Sequence, residues 1–287
     1  MRKLIEDAIR QIDDMRALDG ICGKAAGLVN RATQPELIKN TLSGTWLGHA
    51  LHPVLTDLPI GAFVMASALD ATAGRAGATA ARRLIGLGVL TTVPTALSGA
   101  CDWSDTYGPT QRVGFVHGAG NAAATMLQAA SWLARKRGRH GTGVALSTVS
   151  LGLTVCTAYL GGHLSYVRGI GVNHTAFQEP VTDWTDVASL SELSEGSLHR
   201  VTAGGVPVVL AVKDAKVYAL SATCTHEGGP LDEGKIVDGD CIQCPWHGSV
   251  FRLEDGAVER GPASVEEPSW EVKVDSGRVF IRSATAS

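Results

Sequence analysis

Cys224-Thr225-His226 and, seventeen residues later, Cys244-Pro245-Trp246-His247 form the stretch whose reading decides the fold. Each short run can present one thiol and one imidazole from a single turn. Two Cys and two His could hold a zinc ion, but zinc modules usually group like ligands, Cys with Cys and then His with His. Here each turn contributes one of each, which suits two irons bridged by sulfides, with each turn feeding both irons.

The flanks are Cys224-Thr-His-Glu-Gly-Gly-Pro-Leu231 and Cys244-Pro-Trp-His-Gly-Ser-Val-Phe251, followed by Asp255-Gly256 and Gly261-Pro262-Ala263. Over about residues 181–285 they resemble the Rieske ferredoxin family. The resemblance implies a [2Fe–2S] cluster with Cys224 and Cys244 on the inner iron and His226 and His247 on the outer one, near the surface where a redox partner docks. Gly228, Gly229 and Gly248 would let backbone approach the sulfides, and Pro230 and Pro245 would stiffen the loops. High-potential members of the wider group carry an additional Cys in each ligand loop and a Tyr two residues past the loop Ser. This chain has Gly228 or Gly229, Trp246 and Phe251 at those places, and Cys241 does not fit the pattern. Hydrogen bonds to cluster sulfurs raise the potential. Ser249 can give one and Phe251 cannot, so the low-potential, ferredoxin-type branch is expected.

With 287 residues, two domains are expected. Residues 1–178 hold 16 Lys and Arg against 10 Asp and Glu, net +6, and the remainder holds 9 against 18, net −9. An acidic head after a basic, apolar half argues against nucleic acid and suits a basic redox partner. Two of the six Cys go to the cluster. Cys101 and Cys156 lie in apolar runs as expected packing residues, and Cys22 and Cys241 have no assigned role. After Met-Arg-Lys come Glu6 and Asp7, so no cleavable signal peptide is expected.

Residues 1–45 are expected to form an amphipathic segment, with Ile5, Ile9 and Ile12 at helical spacing until Gly20 and Gly23 break it. Apolar runs at 53–73, 84–101, 113–134 and 144–161 predict a four-helix transmembrane bundle over 46–165, rich in small residues that allow close helix approach in lipid. A soluble bundle is the alternative. If the helices alternate in direction, one face collects His49, His52, Asp57, Asp102, Asp105, His117, Asn121 and His163. Ionisable groups near hydrocarbon are costly and usually functional. A haem b held by His52 and His117 is expected, with His163 in reserve, Arg112 and Arg168 suited to propionates, and His49 outside the site. A quinone pocket or helix-end capping would use the same histidines. Gly44-Thr-Trp-Leu-Gly-His-Ala-Leu-His-Pro, Ser98-Gly-Ala-Cys-Asp-Trp103 and Gly161-Gly-His-Leu-Ser-Tyr-Val-Arg-Gly resemble, over about 42–175, a poorly characterised family of four-helix bacterial membrane domains. A multi-pass protein of a bacterial inner membrane is expected. Arg75, Arg82, Arg83, Arg135, Lys136, Arg137 and Arg139 fall in two loops on one face, which places the head on the extracytoplasmic side. The Lys and Arg of the N-terminal tail, with no signal to direct it across, oppose that placement.

A linker at 166–182 leads to a Rieske domain at 183–285, expected as an all-β barrel or sandwich with a cluster lobe inserted at about 222–252. Strands are predicted at 206–212, 217–220, 250–253, 257–259, 270–274 and 279–281 from alternating apolar residues and the Lys213–Lys216, Glu254-Asp255-Gly256 and Asp275-Ser276-Gly277 turns. The function expected is one-electron transfer by a membrane-anchored Rieske ferredoxin. The alternatives are an electron-transfer subunit of a larger oxygenase or reductase, and a redox sensor. His247 is the last His, so no 2-His-1-carboxylate site follows the cluster and no catalytic residue is assigned.

Overall fold

A computed structural model describes residues 2–284, which divide into two compact units: residues 2–34 with 51–168, and residues 35–50 with 169–284. The N-terminal region holds seven α-helices: α1 (Arg2–Asp14), α2 (Asp19–Ala32), α3 (Glu36–Ser43), α4 (Leu51–Ala73), α5 (Ala78–Ser104), α6 (Gly108–Lys136) and α7 (His140–Tyr166).

Four of these are long and pair as α4 with α5 and α6 with α7. Gly74 and Gly138 end the first helix of each pair at φ +52° and +76°, a conformation that costs other residues strain. Close approach rests on small residues. A Cβ at Gly88 would stand 2.4 Å from the Phe63 ring, and one at Gly86 2.9 Å from Trp132 Nε1. Among the described residues, α4, α5 and α7 are long and apolar enough to cross a membrane. The sequence predicted four such helices. α6 has the length, but Arg112, His117, Asn121, Gln128 and Arg135 lower its hydropathy.

Of these, Gln128 and Arg135 are buried and bond toward α7 and α4, Arg112 is buried against α2, and His117 and Asn121 are half-buried. The Gln128 Oε1 accepts from Ser147 at 3.0 Å, and the Ser131 hydroxyl reaches Ser147 at 2.9 Å and the Gly143 carbonyl at 2.6 Å. Arg135 grips Asp70 with both guanidinium nitrogens, at 2.8 and 2.5 Å, their side chains only 2% and 6% exposed. Arg135 is therefore drawn into the bundle and is not a free loop charge.

α1 and α2 attach to the same unit through ion pairs. Arg168 Nη2 meets both Asp13 oxygens at 2.7 Å, and Arg112 Nε donates to Asp19 at 2.7 Å. Both arginines foreseen as propionate partners thus serve carboxylates of the chain itself. Gly20 and Gly23 do not break the helix as expected: α2 runs through both. A helical glycine costs about 1 kcal/mol relative to Ala. Cys22 and Ala26, buried to 0% and 5% exposure on that helix, supply the opposing packing. Cys101 is buried as expected, whereas Cys156 lies on the outer surface of α7.

The second unit is all-β except for α3 and short turns. Its strands are β1 (Thr185–Ser189), β2 (Leu198–Ala203), β3 (Val206–Lys213), β4 (Lys216–Ser221), β5 (Lys235–Val237), β6 (Cys241–Gln243), β7 (Val250–Arg252), β8 (Val258–Arg260), β9 (Trp270–Asp275) and β10 (Arg278–Ser283). They form three antiparallel sheets, β1-β10-β9, β2-β3-β4 and β5-β6-β7-β8. The β3–β4 and β9–β10 hairpins turn on Asp214-Ala215 and Ser276-Gly277, each pair at positive φ, which matches the twist of the strands. Phe251, Leu231, Ile242 and Leu253 are fully buried under the third sheet and anchor the lobe that carries the Cys and His turns.

Removing one partner of a buried ion pair leaves an uncompensated charge and costs about 3–5 kcal/mol. Asp70→Ala should therefore lower the thermal unfolding temperature of the detergent-solubilised protein markedly, and adding Arg135→Leu should recover part of the loss.

Candidate metal centre

Two backbone turns build the centre, and they share one pattern. In the first, the Gly228 N–H donates to the Cys224 carbonyl at 2.9 Å and the Cys224 N–H to the Gly229 carbonyl at 2.8 Å. In the second, the Gly248 N–H donates to the Cys244 carbonyl at 3.2 Å and the Cys244 N–H to the Ser249 carbonyl at 2.8 Å. Each turn closes on a glycine at φ +74° or +76°, where an L side chain is strained. The first turn leaves β4 and the second joins β6 to β7, so the lobe's core sets their separation.

The turns bring the foreseen ligands together in pairs, Cys224 with Cys244 and His226 with His247. Cys224 and Cys244 are buried, free of any disulfide, and close enough to perturb one another. The interaction between the two thiols raises the Cys224 pKa and lowers that of Cys244, which the N–H groups of Trp246 and His247 also favour as thiolate. The His226 and His247 rings stand 5.0 Å apart, edge to face at 84°. Burial, and then the charges of His247, Lys39 and His174, push the His226 imidazole down to about 3, so it is neutral at physiological pH. Its Nδ1 is buried without a hydrogen-bond partner among the described residues. A buried lone pair with nothing to bind, beside two thiols and a second imidazole, fits a metal cluster.

Supporting groups hold the turns. The Thr225 hydroxyl donates to the Val265 carbonyl at 2.8 Å, and its N–H to Glu267 Oε2 at 3.0 Å. Glu267 is 1% exposed, and burial raises its carboxyl pKa well above the usual range, against the pull of that N–H. Ser249 Oγ accepts the Ala263 N–H at 3.0 Å. Phe251 is fully buried and brings no hydroxyl. Three groups beside the site were not read from the sequence: Glu267, Lys39 on α3, and His174, whose N–H donates to the Thr225 carbonyl at 3.1 Å. No local pattern marks them, because all three arrive from segments outside the ligand turns.

A Rieske [2Fe–2S] domain model matches residues 183–274. Ferredoxin CarAc of Metapseudomonas resinovorans is 34% identical over 99 residues, which cover 34% of this chain and 92% of that protein. The chain belongs to the Rieske [2Fe–2S] family. The ferredoxin component of the naphthalene 1,2-dioxygenase system of Pseudomonas aeruginosa is 30% identical over 98 residues, 34% of this chain and 93% of that protein. Apoptosis-inducing factor 3 of Homo sapiens is 30% identical over the same share of this Rieske chain, which spans only 16% of that protein. A solved chain from the complex of reduced oxygenase and oxidized ferredoxin in carbazole 1,9a-dioxygenase is 34% identical, covering 34% of this chain and 92% of that one with a TM-score of 0.33. A second model, for a predicted membrane protein family (DUF2231), matches residues 48–174, so the Rieske domain is fused to a membrane-protein domain.

In that other domain, the foreseen histidines separate into two kinds. His52 Nδ1 donates to the Thr95 carbonyl at 2.9 Å, and His117 Nδ1 to the Thr157 carbonyl at 2.8 Å. Four residues beyond each threonine stands a glycine, Gly99 or Gly161, whose Cβ would come within 2.6 or 2.9 Å of the imidazole. The two hairpins thus repeat one arrangement, and Thr95-Ala-Leu-Ser-Gly99 and Thr157-Ala-Tyr-Leu-Gly161 are its signature in the sequence. Asn121 Nδ2 also donates to His117 Nε2 at 3.2 Å. His163 differs: its Nε2 accepts from Arg168 at 3.2 Å. His49 is exposed and belongs to the second unit.

At Gly229 a Cβ would lie 2.9 Å from Cys244 Sγ and 3.1 Å from Trp246. Overpacking of this kind costs about 1–3 kcal/mol. Gly229→Ala should lower both the iron content of the purified protein and its unfolding temperature, whereas Gly27→Ala, at a helical glycine of α2 with nothing within 4 Å, should leave the iron content unchanged.

Proposed function

We propose that this chain is a membrane-anchored, ferredoxin-type one-electron carrier, with Cys224 and Cys244 on one iron of a [2Fe–2S] cluster and His226 and His247 on the other. The observation that carries this reading is the paired turn geometry, which gathers two thiols and two neutral-capable imidazoles in one lobe. When bound, the cluster would cycle by one electron, with histidine ligation placing the redox-active iron near the surface. The residues themselves hold it, exclude water around the thiols and present the histidine side to a partner. Beside His247, Pro245 and Trp246 are exposed, the indole to 54%. Together with the acidic head they suit docking of a basic redox protein, an oxygenase or reductase component by analogy with the dioxygenase ferredoxins. Ser249, whose hydroxyl proton could bond a cluster sulfur, with Phe251 in place of a second donor, supports the low-potential branch. Cys244→Ser and His226→Ala should each abolish stoichiometric iron and acid-labile sulfide, while Cys241→Ser should retain both. Retention of the full cluster in Cys244→Ser would overturn the ligand assignment.

A second reading concerns the membrane domain, where His52 and His117 would serve a haem b or a quinone, relaying electrons to or from the cluster. The repeated Nδ1–H donation to a carbonyl favours it. Ligating imidazoles usually donate the second ring N–H in this way, which leaves Nε2 for the metal. Ligation by His117 would require Asn121 to release its Nε2. His163, already engaged by Arg168, is the weaker candidate. Bilayer anchoring rests on α4, α5 and α7. The arginines of the 74–77 and 137–139 turns would place those turns in the cytoplasm and the head on the opposite side of a bacterial inner membrane. In a reduced-minus-oxidised optical spectrum, sharp haem bands that disappear in His52→Ala would support the haem. Their absence from the wild-type protein would restrict the site to a quinone or a structural role.

A further inference from the structure

α3 is amphipathic in the reverse sense. A helix on a protein core usually buries its apolar stripe and shows its polar side to water. Here Lys39 and Ser43 are buried, while Leu37, Ile38 and, just past the helix, Trp46 are 80%, 41% and 66% exposed. The inward side is polar because it recognises backbone of the head. Asn40 Nδ2 donates to the Glu259 carbonyl at 3.0 Å, and Asn40 Oδ1 accepts the Gly261 N–H at 2.8 Å. Thr45 Oγ1 donates to the Ala263 carbonyl at 3.2 Å. The contact is close. A Cβ on Gly261 would stand 3.1 Å from Thr45 Oγ1 and 3.3 Å from Ser43.

The outward side has turned its polar hydrogens back on the chain. Thr41 is exposed, yet its hydroxyl donates to the Leu37 carbonyl at 2.6 Å, and the Trp46 indole N–H donates to the Thr41 carbonyl at 3.2 Å. Water would satisfy both groups without such bonds, whereas a medium poor in hydrogen-bond partners requires them. The length of the chain says which medium is within reach. α4, the first helix able to span, begins at Leu51 and has 23 residues. That is little more than the ~20 a bilayer core needs, so its Leu51 end lies at the edge of the hydrocarbon. Trp46 precedes Leu51 by five positions. Fully extended, that stretch reaches at most about 18 Å. Tryptophan is a residue enriched at this depth, where apolar and wet surroundings meet.

We propose that the outward side of α3 and the turn after it, formed by Leu37, Ile38, Thr41 and Trp46, lies in the bilayer interface, between the lipid headgroups and the first acyl carbons. The proposal rests on the bilayer reading above. Lys39, the one basic residue of α3, is on the buried side, so insertion is apolar and needs no anionic lipid. The contact gives the head a foothold on lipid in addition to its covalent link at residues 168–169. It also bears on the cluster lobe, because α3 grips the 259–263 segment and the Ala263 N–H bonds Ser249 beside the second ligand turn.

The test places the full-length protein in phosphatidylcholine vesicles and in vesicles of the same lipid brominated high on the acyl chain. The emission belonging to Trp46 is the difference between the wild type and Trp46→Phe. Brominated lipid should quench that difference by about half or more, as expected of an indole at the interface, and aqueous acrylamide should quench it little. Neither result should change with added salt or with anionic lipid. Leu37→Trp should add further lipid-quenched emission, and it decides the matter if Trp46→Phe does not fold. Quenching of Trp46 by acrylamide and not by bromine leaves this side in water and overturns the proposal. Quenching by neither assigns it to a protein surface, a second copy of the chain included, and overturns the proposal as well. A protein that does not float with the vesicles overturns the bilayer reading instead.

Discussion

Two thiols and two imidazoles can share a pair of irons only if the backbone holds them within bonding reach before the cluster arrives. On the proposed ligation the head would meet that constraint with one turn used twice, each closed by a Cys carbonyl to glycine N–H bond and a Cys N–H to carbonyl bond. The turns bury little apolar side chain beyond the two cysteines, since Pro245 and Trp246 are exposed. Their positions come from Leu231, Ile242, Phe251 and Leu253 beneath them, and from Thr225, Ser249 and Glu267 beside them. Burial then sets the chemistry: it keeps the His226 ring neutral, while the neighbouring thiols shift in opposite directions, Cys224 up and Cys244 down.

The membrane-protein domain solves a different problem with similar economy. Small residues let its helices approach, and polar groups on α6 find partners across the helix interfaces before lipid could penalise them. Its two hairpins repeat an imidazole laid against a glycine and bonded to a threonine carbonyl. That duplication, more than the number of histidines, separates His52 and His117 from His163 and His49.

Much of this was legible in the sequence because the signals are local. The ligand spacing, the hairpin turns at 213–216 and 275–277, and the long apolar runs each announce themselves within a few residues. The short strands β1, β2, β5 and β6 were missed, since runs of three to six residues with mixed exposure carry little periodicity. Gly20 and Gly23 misled for a related reason: propensity is a weak local preference, and burial of Cys22 and Ala26 outweighs it. The α3 contact was unreadable in principle from pattern alone. Asn40 and Thr45 recognise backbone atoms more than two hundred residues away, and backbone atoms leave no trace in side-chain composition.

The account stands on mixed Cys and His ligation of a two-iron cluster, and pulsed EPR of the reduced, full-length protein tests that most directly. It predicts a paramagnetic cluster whose electron spin couples to the ring nitrogens of two histidines, with the coupling pattern changing when the protein's histidines carry the other nitrogen isotope. A reduced cluster without histidine nitrogen coupling, or a protein that purifies with zinc and no EPR signal, would contradict it.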